Sequence, residues 1–369
     1  MAKRSVQAWP GRGACGLVLG LGLVLTLLSS ACGAPAAPAR ESGGAPAAPA
    51  AAPAEPAPPA PIPVRVLHSA VSGSQALLNV IQEGGLFAQH GLVVEISNAS
   101  PRATIASLLS GEVPLVISSG VHVVSAGLAG GDTVIVAGGL GTVDLSLWTR
   151  EALDPAGLRG RRIGVSTFGD APDFAARFAL RRWGLDPNRD VEILQTGQPP
   201  ERLTALQAGA VDATILQPPL TTLARRAGFY QLAQIADLGL EYQHTCVVTT
   251  RARLAAEPEV VERFVSAWAE GVYYYRARPE AARAAVGRFM GLEDPEALAE
   301  TYEQYNQWYS RPPYPTLRGV QTVLDQLVES GDERARTARP EDFVDTRFLD
   351  KLSASGQLQR WEQQYPPVS

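Results

Sequence analysis

From position 64 onward the chain alternates short apolar, β-rich runs with longer stretches whose apolar residues recur at helical spacing. That alternation predicts strands and helices in turn, the pattern of an α/β fold with parallel strands. The predicted order is strand 64–67, a turn over 69–74, helix 75–89, strand 93–97, helix 102–110 and strand 115–117. The same order then returns as strand 162–165, a turn over 166–170, helix 172–183, strand 191–195, helix 201–208 and strand 213–216.

The repeat reaches individual residues. LLSGEVPLVISS at 108–119 lies over LQAGAVDATILQ at 206–217, which sets Gly111 on Gly209 and Val113 on Val211. In both copies a glycine ends a helix and a valine opens the next strand, which is where helix stop signals belong. His68-Ser69 corresponds in the same way to Val165-Ser166. Two βαβαβ units are therefore expected. Ligands of open α/β sheets bind beyond the carboxyl ends of the strands, so two such units facing each other would line one cleft.

Ahead of position 64 the pattern breaks. Lys3, Arg4 and Arg12 form a positive head, 17–28 are almost wholly apolar, and the small residues Ser29, Ser30 and Ala31 lead to Cys32. This is the layout of an export signal. Residues 33–63 are nearly all Ala, Pro, Gly and Ser, a composition that cannot bury enough apolar surface to fold and that favours extended polyproline II. The first 31 residues with the following cysteine resemble a bacterial lipoprotein signal, and the resemblance implies a diacylglycerol on the Cys32 thiol and a tether over 32–62. An uncleaved membrane anchor is the alternative, since the apolar stretch is close to the lower limit for a spanning helix.

Composition narrows the body. A net charge of −5, a pI near 5.5 and a mean hydropathy of −0.01 describe a soluble globular chain without the basic face of a nucleic-acid binder. After loss of the signal only Cys246 remains beside Cys32, in the apolar run TCVVTT, where a buried thiol is expected. No HExxH, P-loop, GxGxxG or GxSxG motif occurs, and no metal site or cofactor is expected. The aromatic segments 273–279 and 301–310 have helical spacing and read as lobe packing.

Five segments, GLFAQHGLVVEI (85–96), SLLSGEVPLVISSG (107–120), LRGRRIGV (158–165), GQPPERLTALQAGAVDATILQPP (197–219) and PEDFVDTRFL (340–349), carry a resemblance in their order and spacing. Together they resemble the type II periplasmic solute-binding proteins of the nitrate/sulfonate/taurine and thiamine-pyrimidine-precursor group, receptor subunits of ABC importers. The resemblance implies two lobes on a two-stranded hinge, with 63–148 and 243–369 in lobe 1 and 149–242 in lobe 2. It places the crossings at 148–158 and 240–250, and packs the helices from 257 onward on lobe 1. It further implies a monomer, extracytoplasmic and lipid-anchored, that captures a small organic molecule or oxyanion and docks on an ABC permease. A sensor module for a signalling partner is the second possibility. The third is an enzyme similar to the eukaryotic thiamine-pyrimidine synthases, which hold pyridoxal phosphate on a lysine; past Lys3 this chain has only Lys351, near its end.

The candidate ligand contacts lie in the strand-to-helix turns, where early backbone N–H groups are unpaired and the helix dipole is positive. They are Ser72, Gly73 and Ser74; Ser119 and His122; Ser166, Thr167, Phe168 and Gly169; and Gln217. Tyr242 and His244 join them as cleft-lining groups that the resemblance places at the return crossing. Asp170 opposes an oxyanion, and the turns hold no arginine or lysine, although Arg102 stands near one helix start. Oxyanions and neutral or cationic heterocycles therefore both stay open as ligands.

Overall fold

β1 (Ile62–His68), β2 (Leu92–Asn98) and β3 (Leu115–Ser119) pair in parallel in the order β2-β1-β3, with α1 (Leu77–Glu83), α2 (Leu86–Gln89) and α3 (Pro101–Leu109) between them. The computed structural model describes residues 60–367, so the signal, Cys32 and the tether as far as position 59 lie outside the described residues. β1 takes up the last residue of the expected tether. α4 (Gly120–Leu128) and β4 (Thr133–Leu140) complete the first run.

The second repeat reproduces this arrangement. β5 (Ser146–Thr149) precedes β6 (Arg162–Val165), α5 (Ala171–Arg182), β7 (Glu192–Gln195), α6 (Pro199–Gln207), β8 (Ala213–Leu216), α7 (Leu220–Arg226) and β9 (Tyr230–Gln234). β10 (Thr245–Thr250) follows. The two sheets have the same layout, β2-β1-β3-β10-β4 and β7-β6-β8-β5-β9. In each the fourth place is an antiparallel strand supplied from across the boundary: β5 follows the first run yet pairs with β8 and β9, and β10 follows the second yet pairs with β3 and β4. The helix-ending glycines found by the repeat, Gly111 and Gly209, both sit at positive φ (80° and 72°), a conformation L side chains rarely adopt.

Two expectations are corrected. Trp148 lies inside β5 of the second sheet and 245–250 form β10 of the first, so the first crossing is at 141–145 rather than 148–158 and the return crossing ends at 244 rather than 250. The antiparallel pairing that captures β5 is non-local and leaves no mark in the run Ser-Leu-Trp-Thr. Helix 75–89 is also broken, because Gly84 and Gly85, the latter at φ 71°, separate α1 from α2.

The C-terminal helices are α8 (Arg251–Ala256), α9 (Pro258–Ala277), α10 (Pro279–Met290), α11 (Pro295–Trp308), α12 (Leu317–Glu329), α13 (Arg347–Ala354) and α14 (Gln357–Gln364). α9 packs on α1 and β4, on the first sheet's side, and α13 and α14 pack on α9. α11 and α12 also reach the second. Arg225 and Arg226 of α7 pair with Glu300, Asp294 and Glu296 at and before α11, and Arg181 of α5 pairs with Glu329 of α12 at 3.1 Å. Tyr273, Tyr275, Tyr302, Tyr305 and Tyr309 are buried, as the helical spacing of both aromatic segments predicts. Cys246 is buried too, and burial pushes its thiol up. No helix among the described residues is long and apolar enough to cross a membrane.

Candidate functional site

The carboxyl ends of β1 and β3 from one sheet and of β6 and β8 from the other border a single cavity of about 610 Å³. Four helices begin at its wall. Ser100 and Pro101 start α3, Ser119 caps α4, Asp170 to Pro172 start α5, and Gln198 and Pro199 start α6. Neither Ser119 nor Asp170 bonds its own helix through the side chain, so the first N–H groups of α4 and α5 keep no side-chain cap. The first turn is held by Gln75, whose Oε1 accepts from the N–H groups of Ser69 and Ala70 at 3.0 and 3.2 Å while its Nε2 donates to Ser69 Oγ.

One cation reaches the wall. Arg202, in the first turn of α6, is 1% exposed and donates to the carbonyls of Ile215 (2.8 Å) and Gly197 (3.1 Å) and to Gln217 Oε1 (3.2 Å). All three acceptors are neutral, so no carboxylate pairs with it directly among the described residues. Burial lowers its pKa to about 10, against the attraction of Asp170 and Asp144, and it stays charged at neutral pH. Asp170 shares the wall, accepts weakly from Ser166 Oγ at 3.4 Å, and has its carboxyl pushed up, mainly by burial.

At the crossings His244 lines the cavity, and Asp144 lies buried behind it. Asp144, in the first crossing, is 1% exposed; His244, in the return crossing, places Nε2 3.1 Å from Asp144 Oδ1, and Tyr305 of α11 donates to Oδ2. Burial pushes the Asp144 carboxyl up, but the adjacent His244 and the bond from Tyr305 outweigh it and hold it below the usual range. His122, on α4, is lowered to about 4, by burial first and by His244 second. Ser119 Oγ, His122 Nδ1 and His244 Nδ1 are buried without a hydrogen-bond partner, and all three residues line the cavity.

The structure brings together Ser72, Ser74, Ser119, His122, Ser166, Gln217 and His244 of the expected contacts. The others stand elsewhere. Gly73 is covered by the Tyr305 ring, which a Cβ there would strike. Thr167 is not on the cavity wall, because its turn swings Phe168 and Gly169 into a separate groove between α5 and α12. There Phe168 is 52% exposed, with Arg177 over its ring, and Gly169 O accepts from Gln326 Nε2. Tyr242 is fully buried, packs on Phe174 and donates to Gln326 Oε1 at 2.7 Å. Arg102 is exposed and off the wall.

Arg202 and Asp144 escaped the sequence reading. The signal for Arg202 was present: it precedes Leu203 and stands four residues before Leu206, on the buried stripe of α6. A cation on an apolar stripe beside a helix start marks a charge kept for a partner.

The fold has many relatives among solved structures. The chain is similar to the periplasmic aliphatic sulphonate binding protein SsuA from Escherichia coli, at 17% identity and a TM-score of 0.63, covering 77% of this chain and 99% of that one. It is likewise similar to the periplasmic nitrate-binding protein NrtA from Synechocystis PCC 6803, at 12% identity and 0.63, with 83% and 91% covered. A ligand binding component of an ABC-type import system from Staphylococcus aureus matches at 12% and 0.63, with 79% and 98% covered. Among curated proteins no match was found. These likenesses show the two-lobed fold of periplasmic binding proteins. The NMT1/THI5-like family model matches residues 75–282, more than half of the sequence, and the chain belongs to that family.

Proposed function

We propose that this chain captures a small anionic organic solute, a sulfonate or similar oxyanion, outside the cytoplasm and hands it to an ABC permease without chemical change. The observation that carries this reading is Arg202, a buried cation with only neutral partners at a cavity where four helices begin. Its relatives' printed ligands, sulphonate and nitrate, agree with that sign of charge. Asp170 favours a second reading, a heterocycle that donates a proton or carries positive charge.

A lysine-held pyridoxal phosphate does not fit. Lys351, on α13, is exposed, pairs with Glu262 of α9 and is off the cavity wall.

Thermal unfolding of the purified chain separates the two readings, with ethanesulfonate, taurine and nitrate set against an aminopyrimidine. A ligand at about 100 times its Kd stabilises the folded state by roughly 2.7 kcal/mol. Stabilisation by an oxyanion, lost in Arg202→Gln, supports the first reading; stabilisation by the pyrimidine alone overturns it. In the same proposal Cys32 carries a lipid that holds the receptor at the membrane. Cys32→Ala then moves the protein from the membrane fraction to the soluble one, and retention in the membrane would instead mean an uncleaved anchor.

A further inference from the structure

One helix touches the cavity-facing ends of both lobes. α11 packs on α10, and just past its end Tyr309 bridges to Leu140 of β4 and donates to the carbonyl of Gly73 at 3.0 Å, while the Tyr305 ring covers Gly73. These contacts hold the turn 69–74 at the carboxyl end of β1. Earlier in the same helix, Glu300 reaches the second lobe. Its Oε1 accepts from Thr221 Oγ1 at 3.1 Å, and its Oε2 accepts from Thr222 Oγ1 at 2.5 Å and from Arg225. Thr221 and Thr222 lie in the first turn of α7, shortly after Gln217, which lines the cavity and accepts from Arg202.

We propose that Glu300 is a clasp that holds the two lobes together over the ligand, and that it thereby sets how fast the ligand leaves. Glu300 is a positioning residue. It is off the cavity wall, and it acts through Thr221 and Thr222 on the segment that carries Gln217. The role in release rests on the solute-binding reading above; the contact itself does not.

The clasp lies between the faces that the lobes turn toward each other. α7 starts beyond the carboxyl end of β8, Tyr305 and Tyr309 stand at the carboxyl end of β1, and both strand ends border the cavity. Rotation of the lobes apart about the crossings therefore draws α7 away from α11. Burial sets Glu300 apart from the other acids of that helix. Its side chain is 16% exposed against 61% for Glu296, both threonines are buried, and Gln304 Nε2 adds a further bond to Oε1 at 3.0 Å. A shielded carboxylate with several charge-assisted bonds contributes more than an exposed ion pair. Opening gives the carboxylate and both hydroxyls to water, which satisfies them in turn, so the contact can form and break in each cycle of binding.

The test reads the distance between the lobes directly. Dyes on Val93 of β2 and Glu192 of β7 stand on exposed positions of the edge strands farthest from the crossings in each sheet. In the ligand-free full chain, single-molecule energy transfer should show a compact population that Glu300→Gln shifts to longer distance. Thr221→Val combined with Thr222→Val should shift it the same way from the other side of the contact, at a temperature where near-ultraviolet circular dichroism shows every variant folded. Release of ethanesulfonate, followed with the same dyes, should be about tenfold faster in both variants, with association changed by less than about twofold. A purely structural role would lower the unfolding midpoint and leave the lobe distance and the release rate of the folded chain alone, and that result overturns the clasp. A distance that shortens in Glu300→Gln overturns it too, since the contact would then oppose closure. Wider lobes with unchanged release overturn its part in release. If ethanesulfonate does not bind, the anionic reading falls, and the lobe distance in the ligand-free chain still decides the clasp.

Discussion

His122 turns the polarity of its surroundings into a pH dependence of folding. Its pKa falls to about 4 from an ordinary 6.5, because burial disfavours the charged ring and His244 stands nearby. A base with a depressed folded-state pKa binds its proton more readily when unfolded, so stability is intact above pH 6.5 and declines as pH falls toward 4. The loss across that window amounts to roughly 3 kcal/mol in the ligand-free chain. His68 is lowered by burial and adds to the decline with the same sign. Asp144, held below the usual carboxylate range, contributes stability that is lost only at still lower pH. Urea unfolding at stepped pH should therefore show a slope in the wild type that His122→Gln reduces without abolishing. A slope left untouched by that substitution would mean that water reaches the ring. The same residue illustrates what sequence could and could not say. Its place after β3 was legible, but its burial beside His244 arises from a pairing of β3 with β10 across more than a hundred positions.

At the scale of elements, most of each repeat was readable, because two independent signals agreed in each segment. Apolar periodicity located β6 and β8 at the bounds they have, and the other strands and helices to within a few residues. The repeated glycines Gly111 and Gly209 fixed where α3 and α6 stop. Trouble came where only one signal was present or where partners were distant. The apolar pattern from α1 into α2 is continuous, so periodicity alone overlooked the break that Gly84 and Gly85 impose. The exchange of β5 and β10 between sheets is written in no local pattern, since a strand of Ser-Leu-Trp-Thr reads alike in either sheet. The turns Ser69–Ser74 and Ser166–Asp170 occupy matching places in the repeat, yet the first misses the cavity wall only at Gly73, whereas the second misses it at Thr167, Phe168 and Gly169. α12 draws Gly169 toward Gln326 and carries Phe168 with it. Arg202 was missed for a different reason: arginine is ordinarily solvent-exposed, and the reading followed that habit rather than the stripe on which it sits.

For the whole molecule the question is whether the lobes are separate cooperative units. Two thin crossings would suggest that they are, and about 300 residues is large for one core. The packing argues otherwise. One apolar cluster runs from Val116 and Val121 in the first lobe through Val143, Leu145 and Tyr242 at the crossings to Ile163, Phe174 and Ile215 in the second, with Val320 and Leu324 of α12 packed into it. Gln326 adds polar links, accepting from Tyr242 and donating to Gly169. Unfolding either lobe alone would expose a face of this cluster and leave the buried Tyr242 hydroxyl without its acceptor, which costs about 1–3 kcal/mol by itself. The pairs of Arg226 with Asp294 and Glu296 lie nearer the surface and are salt-sensitive, so they add little, whereas Glu300, 16% exposed and accepting from Arg225 and from the buried Thr221 and Thr222 of α7, is a further link between the lobes. Differential scanning calorimetry of the ligand-free chain should give one transition, with calorimetric and van't Hoff enthalpies in agreement, and ligand should shift all of it. Two transitions, with only one shifted by ligand, would mean that the cluster does not join the lobes and that the crossings alone hold them together.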